Sequence, residues 1–197
     1  MAKNRRSAAA EKTPRLDSSA WISAAFDVLA EGGIDALRVE PLAKALNITK
    51  GSFYWHFADR RALLDAMLQA WMEGRVAAIR QQAADRGAPA ITLRQLVDIY
   101  TRHANVKGLA IELALRSFAR TDEIAAEAVR TVDRERLQQA TGLFAALGWP
   151  KPEAQSRGIL FYSYLFGQSL LDPQVVTQAA RDRAIEALLA FSPPVRA

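Results

Sequence analysis

The segment 40–57, EPLAKALNITKGSFYWHF, constrains the fold more than any other part of the sequence. Leu42, Ala45 and Leu46 recur at helical spacing, which predicts a short helix with a narrow apolar stripe. Such a helix is too short to be stable alone, so it must pack against neighbours. Asn47 follows the stripe and suits the left-handed conformation that ends many helices. The pattern predicts two helices joined by a tight turn.

The second helix of the pair is expected to begin after Thr49, whose hydroxyl can cap it. Phe53 and Phe57 are four residues apart and should face inward. The remaining side chains are charged, small or aromatic, and they suit a phosphate-lined groove because they combine charge, close approach and flat hydrogen-bond donors. An earlier apolar stripe, Ile22, Ala25, Phe26 and Leu29, predicts a supporting helix. Three helices then form a helix-turn-helix DNA-reading domain, whereas a plain helical hairpin is the alternative that this shape alone leaves open.

The motif GIDAL at residues 33–37, the helix pair, and the run TKGSFYWHFADRRALLDAM at residues 49–67 occur together at set distances. In this combination residues 17–67 resemble the tetracycline-repressor (TetR) family of transcriptional regulators. The rest of the chain resembles that family only in length and helical character. The resemblance implies an all-α fold of about nine helices, with an N-terminal three-helix helix-turn-helix DNA-binding domain and a C-terminal helical ligand-binding and dimerisation domain.

The resemblance also implies which residues face DNA on the recognition helix: Thr49, Lys50, Gly51, Ser52, Tyr54, Trp55 and His56. Arg60 matches a position that commonly holds a phosphate. Two residues depart from the family pattern. Arg38 stands where many members have a Thr or Ser cap, and Glu40 stands where some members read a base with a basic or polar residue. Glu40 either accepts from a cytosine amino group or complements the N-terminus of its own helix.

The positive charge of the chain is concentrated at its N-terminus. The formal net charge is +5, and residues 1–16 carry +4 of it without any apolar run. This composition predicts a disordered basic tail with loose contact to nucleic acid, and not a secretory signal. Residues 17–67 hold five basic and seven acidic groups, so the placement of charge must matter more than its total. The acidic side chains expected to lie away from the duplex are Asp27, Glu31, Asp35 and Asp65.

Several classes of protein are disfavoured by composition. The absence of cysteine excludes disulfides, cysteine-ligated zinc and a cysteine nucleophile, and it fits a cytoplasmic protein. The longest charge-free run, residues 158–171, has fourteen residues, whereas a membrane-spanning helix needs about 20. No motif for a cofactor, a metal or a phosphate loop stands out, so we expect neither a cofactor nor a membrane partner.

Downstream of the helix pair, apolar spacing predicts a long helix from Asp59 through Ile79 that connects the two domains. Five further helices are predicted at residues 92–104, 109–119, 122–147, 152–171 and 173–191. The predicted division is a tail at 1–16, a DNA-binding domain at 17–62 and a ligand-binding and dimerisation domain at 63–197. The last two helices are the candidates for a homodimer interface. The first carries small residues at Ser156, Ser163 and Gly167, and the second carries an apolar stripe of Val176, Ala180, Ala184, Ala187, Leu188 and Phe191. A monomer core is the alternative interpretation of these helices.

The resemblance implies a small-molecule pocket among the middle helices. Its candidate lining residues are polar or aromatic groups on otherwise apolar helices: Trp71, Tyr100, His103, Glu112, Arg116, Phe118, Tyr162 and Gln168. Each of them has an ordinary structural interpretation too, and Glu112 and Arg116 are spaced to pair with each other on one helix. The apolar surroundings predict a hydrophobic or aromatic effector, and a lining made of charges would argue against it.

Three functions are compatible with these patterns. The leading one is a ligand-responsive transcriptional regulator, acting as a repressor, that binds a palindromic operator as a homodimer and is released by an effector. An enzyme using His103 and Glu112 is the second, but the sequence supplies no nucleophile, metal or cofactor motif for it. The third is a DNA-binding architectural or adaptor protein with a solid C-terminal core.

Overall fold

A computed structural model describes residues 17–84, 87–101, 106–172 and 174–189. Within these ranges the chain forms nine α-helices and no strand, which confirms the predicted all-α class. The helices are α1 (Ser18–Gly32), α2 (Val39–Ala45), α3 (Lys50–Phe53), α4 (Arg60–Ala84), α5 (Pro89–Thr101), α6 (Val106–Phe118), α7 (Glu123–Ala146), α8 (Lys151–Gly167) and α9 (Gln178–Leu189). Short 3-10 turns occupy Ile34–Ala36 and Gln168–Leu170. None of the helices in the described ranges is both long and apolar enough to cross a membrane.

Helix α1 is set at both ends by local chemistry. The Asp17 carboxylate accepts from the backbone N–H of Ala20 at 3.1 Å, which caps the first turn. At the other end Gly33 has φ +70°, a conformation that glycine adopts without steric cost. Gly32 also has a packing reason, because a Cβ there would lie 2.7 Å from the Cβ of Ala36. The two glycines therefore turn the chain sharply from α1 into the 3-10 turn.

The core of the first three helices differs in detail from the predicted stripes. Leu42 and Ala43 are buried and Leu46 is half-buried, whereas Ala45 is exposed, so its predicted place in the stripe is wrong. The side of α2 that meets α1 runs through neighbouring positions 42 and 43, which a strict spacing pattern misses. Trp21, absent from the predicted stripe of α1, is fully buried and meets the Phe53 ring edge-to-face at 5.2 Å between centroids.

The turn between α2 and α3 is closed by the backbone. Asn47 has φ +54°, which confirms the predicted left-handed helix stop. Thr49 stands at the N-cap of α3, but its side chain makes no capping hydrogen bond, so the predicted hydroxyl cap is wrong. Instead its carbonyl oxygen accepts from the N–H of Ser52 at 3.0 Å.

The boundaries of the later helices shift for recognisable reasons. Asp59 caps α4 through the N–H of Ala62 at 2.8 Å. Helix α5 begins at Pro89, earlier than the predicted start at residue 92. Proline is tolerated there because it lacks a backbone N–H, and N–H groups in the first turn of a helix have no partner within the helix. The predicted start of the last helix at 173 is wrong, since α9 begins at Gln178 after Thr177, whose hydroxyl accepts from Ala180. Val176 therefore precedes the helix and is not part of its stripe.

The buried apolar side chains form two clusters. The first joins α1 to α4 with parts of α6 and α7, including Val132. The second joins α5, the C-terminal half of α7, α8 and α9, including Ala140. Helix α4 belongs to the first cluster along most of its length, and the predicted division at residues 62 and 63 falls inside it. That domain boundary stays a prediction.

A pair of aromatic substitutions tests how the recognition helix is held. Phe53→Ala removes a fully buried ring and should lower the free energy of unfolding by about 3 to 5 kcal/mol. Trp55→Ala is the matched control, because its side chain is 84% exposed and its loss should change stability by less than about 0.5 kcal/mol. Urea unfolding followed by circular dichroism measures both. Equal losses in the two variants would contradict this packing of α3.

Candidate nucleic-acid interface and interior pocket

Helix α3 and the turn after it divide into a buried side and an exposed side. Phe53 and Phe57 are buried, as predicted from their spacing. The opposite side presents a continuous exposed group: Gly51, Tyr54, Trp55 and His56, with Ser52 half-buried beside them. A large ring such as Trp55 at 84% exposure is unusual on a water-facing surface unless something covers it. This surface has the shape and donors to enter a DNA groove, but its contacts with DNA stay a prediction.

Lys50 on α3 forms an ion pair with Glu40 on α2. The hydrogen bond from Lys50 is the main cause that lowers the pKa of Glu40, and the same bond raises the pKa of Lys50. Both side chains are at least half exposed, so the pair contributes little to stability. Its effect is on placement, because it ties the ammonium group of the recognition helix to the preceding helix. The sequence indicated a cytosine contact or an interaction with the N-terminus of α2 for Glu40. It did not indicate an ion pair with Lys50.

Two arginines border the same surface. Arg38 is the N-cap residue of α2 and makes no side-chain cap, as expected for a residue without an acceptor oxygen. Arg60 donates through Nε to the carbonyl oxygen of Leu37 at 2.6 Å and through a terminal nitrogen to that of Ile34 at 2.5 Å. Part of its donor capacity therefore holds the 3-10 turn. Its predicted phosphate contact has to share the guanidinium with these carbonyl groups.

Two of the acidic residues predicted to avoid DNA have partners in the structure. Asp27 on α1 pairs with Lys107 on α6. Asp65 pairs with Arg61 at 2.8 Å, and Arg61 also pairs with Asp122 at the start of α7. The Arg61 hydrogen bond is the main cause that lowers the pKa of Asp122. These bridges connect the first helices to α6 and α7.

Glu112 is the buried centre of a cluster of charges between α6 and α7, whose outer members are partly exposed. Its carboxylate accepts from Arg136 at 2.5 and 2.8 Å and from Arg116 at 2.9 and 3.0 Å. Arg116 in turn donates to Asp133 at 2.5 and 2.9 Å. We call Glu112, Arg116, Asp133 and Arg136 the charge cluster. The sequence indicated the pairing of Glu112 with Arg116, and the structure adds Asp133 and Arg136.

Burial disfavours the charged forms of Glu112 and Arg136, and their pairing offsets this effect. Burial raises the pKa of Glu112, but the hydrogen bonds and charges of Arg136 and Arg116 outweigh burial and hold the pKa below its ordinary value. Burial lowers the pKa of Arg136, yet its bond to Glu112 prevails and the pKa is raised. The guanidinium groups of Arg116 and Arg136 also lie 4.7 and 5.1 Å from the centroid of the Phe166 ring.

Further polar groups adjoin the charge cluster. Tyr162 donates its hydroxyl to Gln139 at 3.2 Å, and Gln139 donates to the carbonyl oxygen of Ile79 on α4 at 3.1 Å. Gln168 donates to the carbonyl oxygen of Tyr100 at 3.3 Å. Burial is the main cause that raises the pKa of Tyr162, so its hydroxyl stays protonated as a donor. Polar contacts among α4, α5, α7, α8 and the 3-10 turn after α8 thus lie beside the ion pairs that join α6 to α7.

An open pocket of about 200 Å³ adjoins the charge cluster. Its wall combines three charged side chains of that cluster with aromatic and aliphatic groups: Arg116, Asp133, Arg136, Leu137, Ile159, Tyr162, Ser163 and Phe166. The charged side chains argue against the predicted hydrophobic or aromatic effector. They lie there because α6 and α7 bring together residues distant in sequence, which no local pattern displays.

The predicted lining residues do not all meet at this pocket. Arg116 and Tyr162 line it, and Glu112 and Tyr100 contact residues that do. Gln168 is one step further away, because it donates to the carbonyl oxygen of Tyr100. Trp71 lines a different pocket beside α1 and α6, and Phe118 packs against the first apolar cluster. His103 lies outside the described residues. The missed residue with a readable signal is Arg136, because it interrupts the apolar row at positions 132, 136 and 140 of α7.

One side of α8 remains uncovered. It presents large apolar side chains at Ile159 and Leu160, 49% and 59% exposed, next to the exposed Ser156, Ser163 and Gly167. The small residues predicted for self-association therefore lie with apolar neighbours on one exposed face, which we call the α8 face. On α9, Ile185, Leu188 and Leu189 pack toward the second apolar cluster, whereas Ala187 is exposed. Phe191 lies outside the described residues.

The comparisons with known proteins concern mainly the first helices. Residues 22–67 match the family model described as "Bacterial regulatory proteins, tetR family". The chain is similar to the tetracycline repressor protein class A from transposon 1721 of Escherichia coli, with 41% identity over 58 residues, and to the class G protein of Vibrio anguillarum, with 39% over 61. These matches cover 29% and 31% of this chain and 27% and 29% of those relatives. The chain thus matches less than a third of the length of either relative.

Solved structures extend the likeness to the whole fold. A tetR-family transcriptional regulator from Agrobacterium tumefaciens aligns with a TM-score of 0.73 over 89% of this chain and 97% of that one, at 16% identity. A transcriptional regulator from Rhodococcus sp. Rha1 aligns with a TM-score of 0.72 over 90% and 96%, at 19% identity. Identities this low show the fold alone. Residues 22–67 thus match the tetR family model, and the described helices share the fold of tetR-family regulators.

Proposed function

We propose that this protein is a ligand-responsive transcriptional regulator, acting as a repressor, that binds a palindromic operator as a homodimer in the cytoplasm. The observation that carries the proposal is the exposed group at Tyr54, Trp55 and His56, held by the buried Phe53 and Phe57 within the matched segment. The relatives matched over this segment are named as tetracycline repressors, which supports repression. Each recognition helix would enter the major groove, with half-sites about 34 Å apart or a multiple of that distance.

The α8 face supports the homodimer. A two-fold axis would bring Ile159 and Leu160 against their counterparts, while the small residues allow close approach of two helices. Helix α9 packs beside α8 through the hydrogen bond of Tyr164 to the Arg181 carbonyl oxygen at 3.3 Å. Two helices from each copy would then form a four-helix interface.

The pocket beside the charge cluster supports an effector-responsive protein over an architectural one. Helix α6 carries Glu112 and Arg116 at the pocket and Lys107 at its bridge to Asp27 on α1. Helix α4 leads from the recognition helix to the carbonyl oxygen of Ile79 that Gln139 holds. A ligand that displaces α6 or α7 would therefore act on the DNA-binding helices through both α6 and α4.

Selection of genomic fragments tests the DNA-binding role. Purified protein at stated, near-physiological salt should retain fragments that share a palindrome. Lys50→Ala and Tyr54→Ala should each weaken binding to that palindrome about tenfold, since each removes a contact with a phosphate or a base. Lys151→Ala is the control, because it removes the same charge from the exposed start of α8. Unchanged operator affinity in both test variants would contradict the assignment.

The ion pair between Glu40 and Lys50 gives a second test. Glu40→Gln should release Lys50 for a phosphate contact, raise affinity for any sequence up to about fivefold, and steepen the salt dependence by about one unit. Glu31→Gln, on the exposed side of α1, changes the net charge equally and should have little effect. Filter binding at several salt concentrations measures both. A loss of operator affinity with a changed preference at one base pair would show instead that Glu40 reads a cytosine.

Sedimentation tests the dimer. Leu160→Arg brings two positive charges close together across the two-fold axis. Their repulsion should weaken self-association by about a hundredfold or more. Ile91→Arg is the matched control, because Ile91 is a 55% exposed aliphatic side chain on α5, away from the α8 face. The control should sediment as a dimer at concentrations where Leu160→Arg is monomeric. A dimer in both variants would place the interface elsewhere.

A further inference from the structure

We propose that the pocket beside the charge cluster binds a small carboxylic acid with a one-ring apolar body, and that its carboxylate takes the place of Asp133 on Arg116. This rests on the proposed function only for the consequence of binding, since the binding chemistry follows from the pocket itself. Arg116, Asp133 and Arg136 line the pocket together. They allow an exchange of one carboxylate for another.

The two carboxylates of the charge cluster are not equally held. The Glu112 side chain is 4% exposed and binds both arginines, so it is fixed in place. The Asp133 side chain is 38% exposed and binds only one edge of Arg116 closely, with Arg136 at 3.8 Å. Asp133 can therefore turn into water at a low desolvation cost. A ligand carboxylate can therefore replace Asp133 as the acceptor of the hydrogen bonds from Arg116.

Charge balance selects the ligand. The two arginines and two carboxylates of the cluster sum to zero. A carboxylate that replaces Asp133 on Arg116 keeps the buried charge near zero and recovers charge-assisted hydrogen bonds. A neutral ligand offers no such replacement. A cation would meet two guanidinium groups whose carboxylate partners are already engaged, which is electrostatically unfavourable.

The rest of the pocket sets the size and character of the ligand body. Leu137, Ile159 and Phe166 supply aliphatic and aromatic wall beside the charges. A volume of about 200 Å³ is somewhat larger than the roughly 150 Å³ apolar cavity that holds benzene. One ring with a carboxylate therefore fits. The hydrophobic or aromatic effector expected from the sequence is thus replaced by a ligand that carries both an apolar ring and a carboxylate.

Calorimetry with three one-ring probes of similar size tests the inference on the full chain. Benzoate, benzyl alcohol and benzylamine share a ring but differ in charge. Ile159 and Ser163 belong both to the pocket and to the α8 face, which is the proposed dimer interface. The pocket is therefore tested in the full chain, which keeps that interface. At constant ionic strength we expect benzoate to bind at least about tenfold more tightly than benzyl alcohol, and benzylamine to bind most weakly. No benzoate binding, or equal binding of benzoate and benzyl alcohol, would overturn the proposal.

Two variants locate the binding. Asp133→Asn removes the competing charge and should tighten benzoate binding about threefold to tenfold, an effect that destabilisation could not produce. Arg116→Gln should reduce benzoate affinity to that of benzyl alcohol. Arg80→Gln is the matched control, because Arg80 pairs with Glu135 of the same α7 on the exposed surface. Benzoate affinity that is unchanged or weaker in Asp133→Asn would overturn the exchange.

The result is separable from the DNA-binding role. The same preparation is tested for retention of genomic fragments in the absence of any probe. A shared palindrome without benzoate binding would overturn the pocket chemistry and leave the regulator intact. Benzoate binding with the expected variant effects, but without a shared DNA sequence, would support the pocket and contradict the proposed function.

Discussion

The interior of this protein depends on the bridge that Glu112 makes between Arg136 and Arg116. A single carboxylate or guanidinium buried here would be several kcal/mol unfavourable, so neither α6 nor α7 can bury its charged residue without the other. The bidentate contact at 2.5 and 2.8 Å fixes the rotation of the two helices relative to each other. An apolar pair of similar volume would often be equally stable, or more so. The charges therefore contribute to geometry and to binding chemistry more than to stability.

The bridge lies between the two apolar clusters of the interior. On α7, Arg136 lies one turn from Val132 in the first apolar cluster and one turn from Ala140 in the second. The two clusters are thus separated by polar contacts instead of merging into one core. Apolar packing resists small displacements because it is dense, whereas a layer of hydrogen bonds can exchange one partner for another. A ligand that enters at this layer meets the part of the interior best able to rearrange.

How far the sequence predicted the structure depends on whether the cause was local. The stop at Asn47, the burial of Phe53 and Phe57 and the capped start of α4 follow from neighbouring residues, and they were predictable. Ala45 was misplaced because the face of a seven-residue helix is set by its partner. Asp133 and Arg136 were missed for a similar reason. Their partners on α6, Arg116 and Glu112, lie 17 and 24 residues away, and the break that Arg136 makes in the apolar row of α7 does not name its partner.

Glu40 illustrates the same limit at the DNA-binding surface. From sequence its position allowed a base contact or a favourable interaction with its own helix. Neither possibility takes the neighbouring helix α3 into account. Its observed partner, Lys50, lies on the next helix, and the sharp turn at Asn47 brings the two together. DNA must compete with Glu40 for that ammonium group, and the energy at stake is small because both groups are well hydrated. Glu40 and Lys50 therefore tune the balance between general phosphate attraction and sequence reading without deciding whether the helix binds DNA.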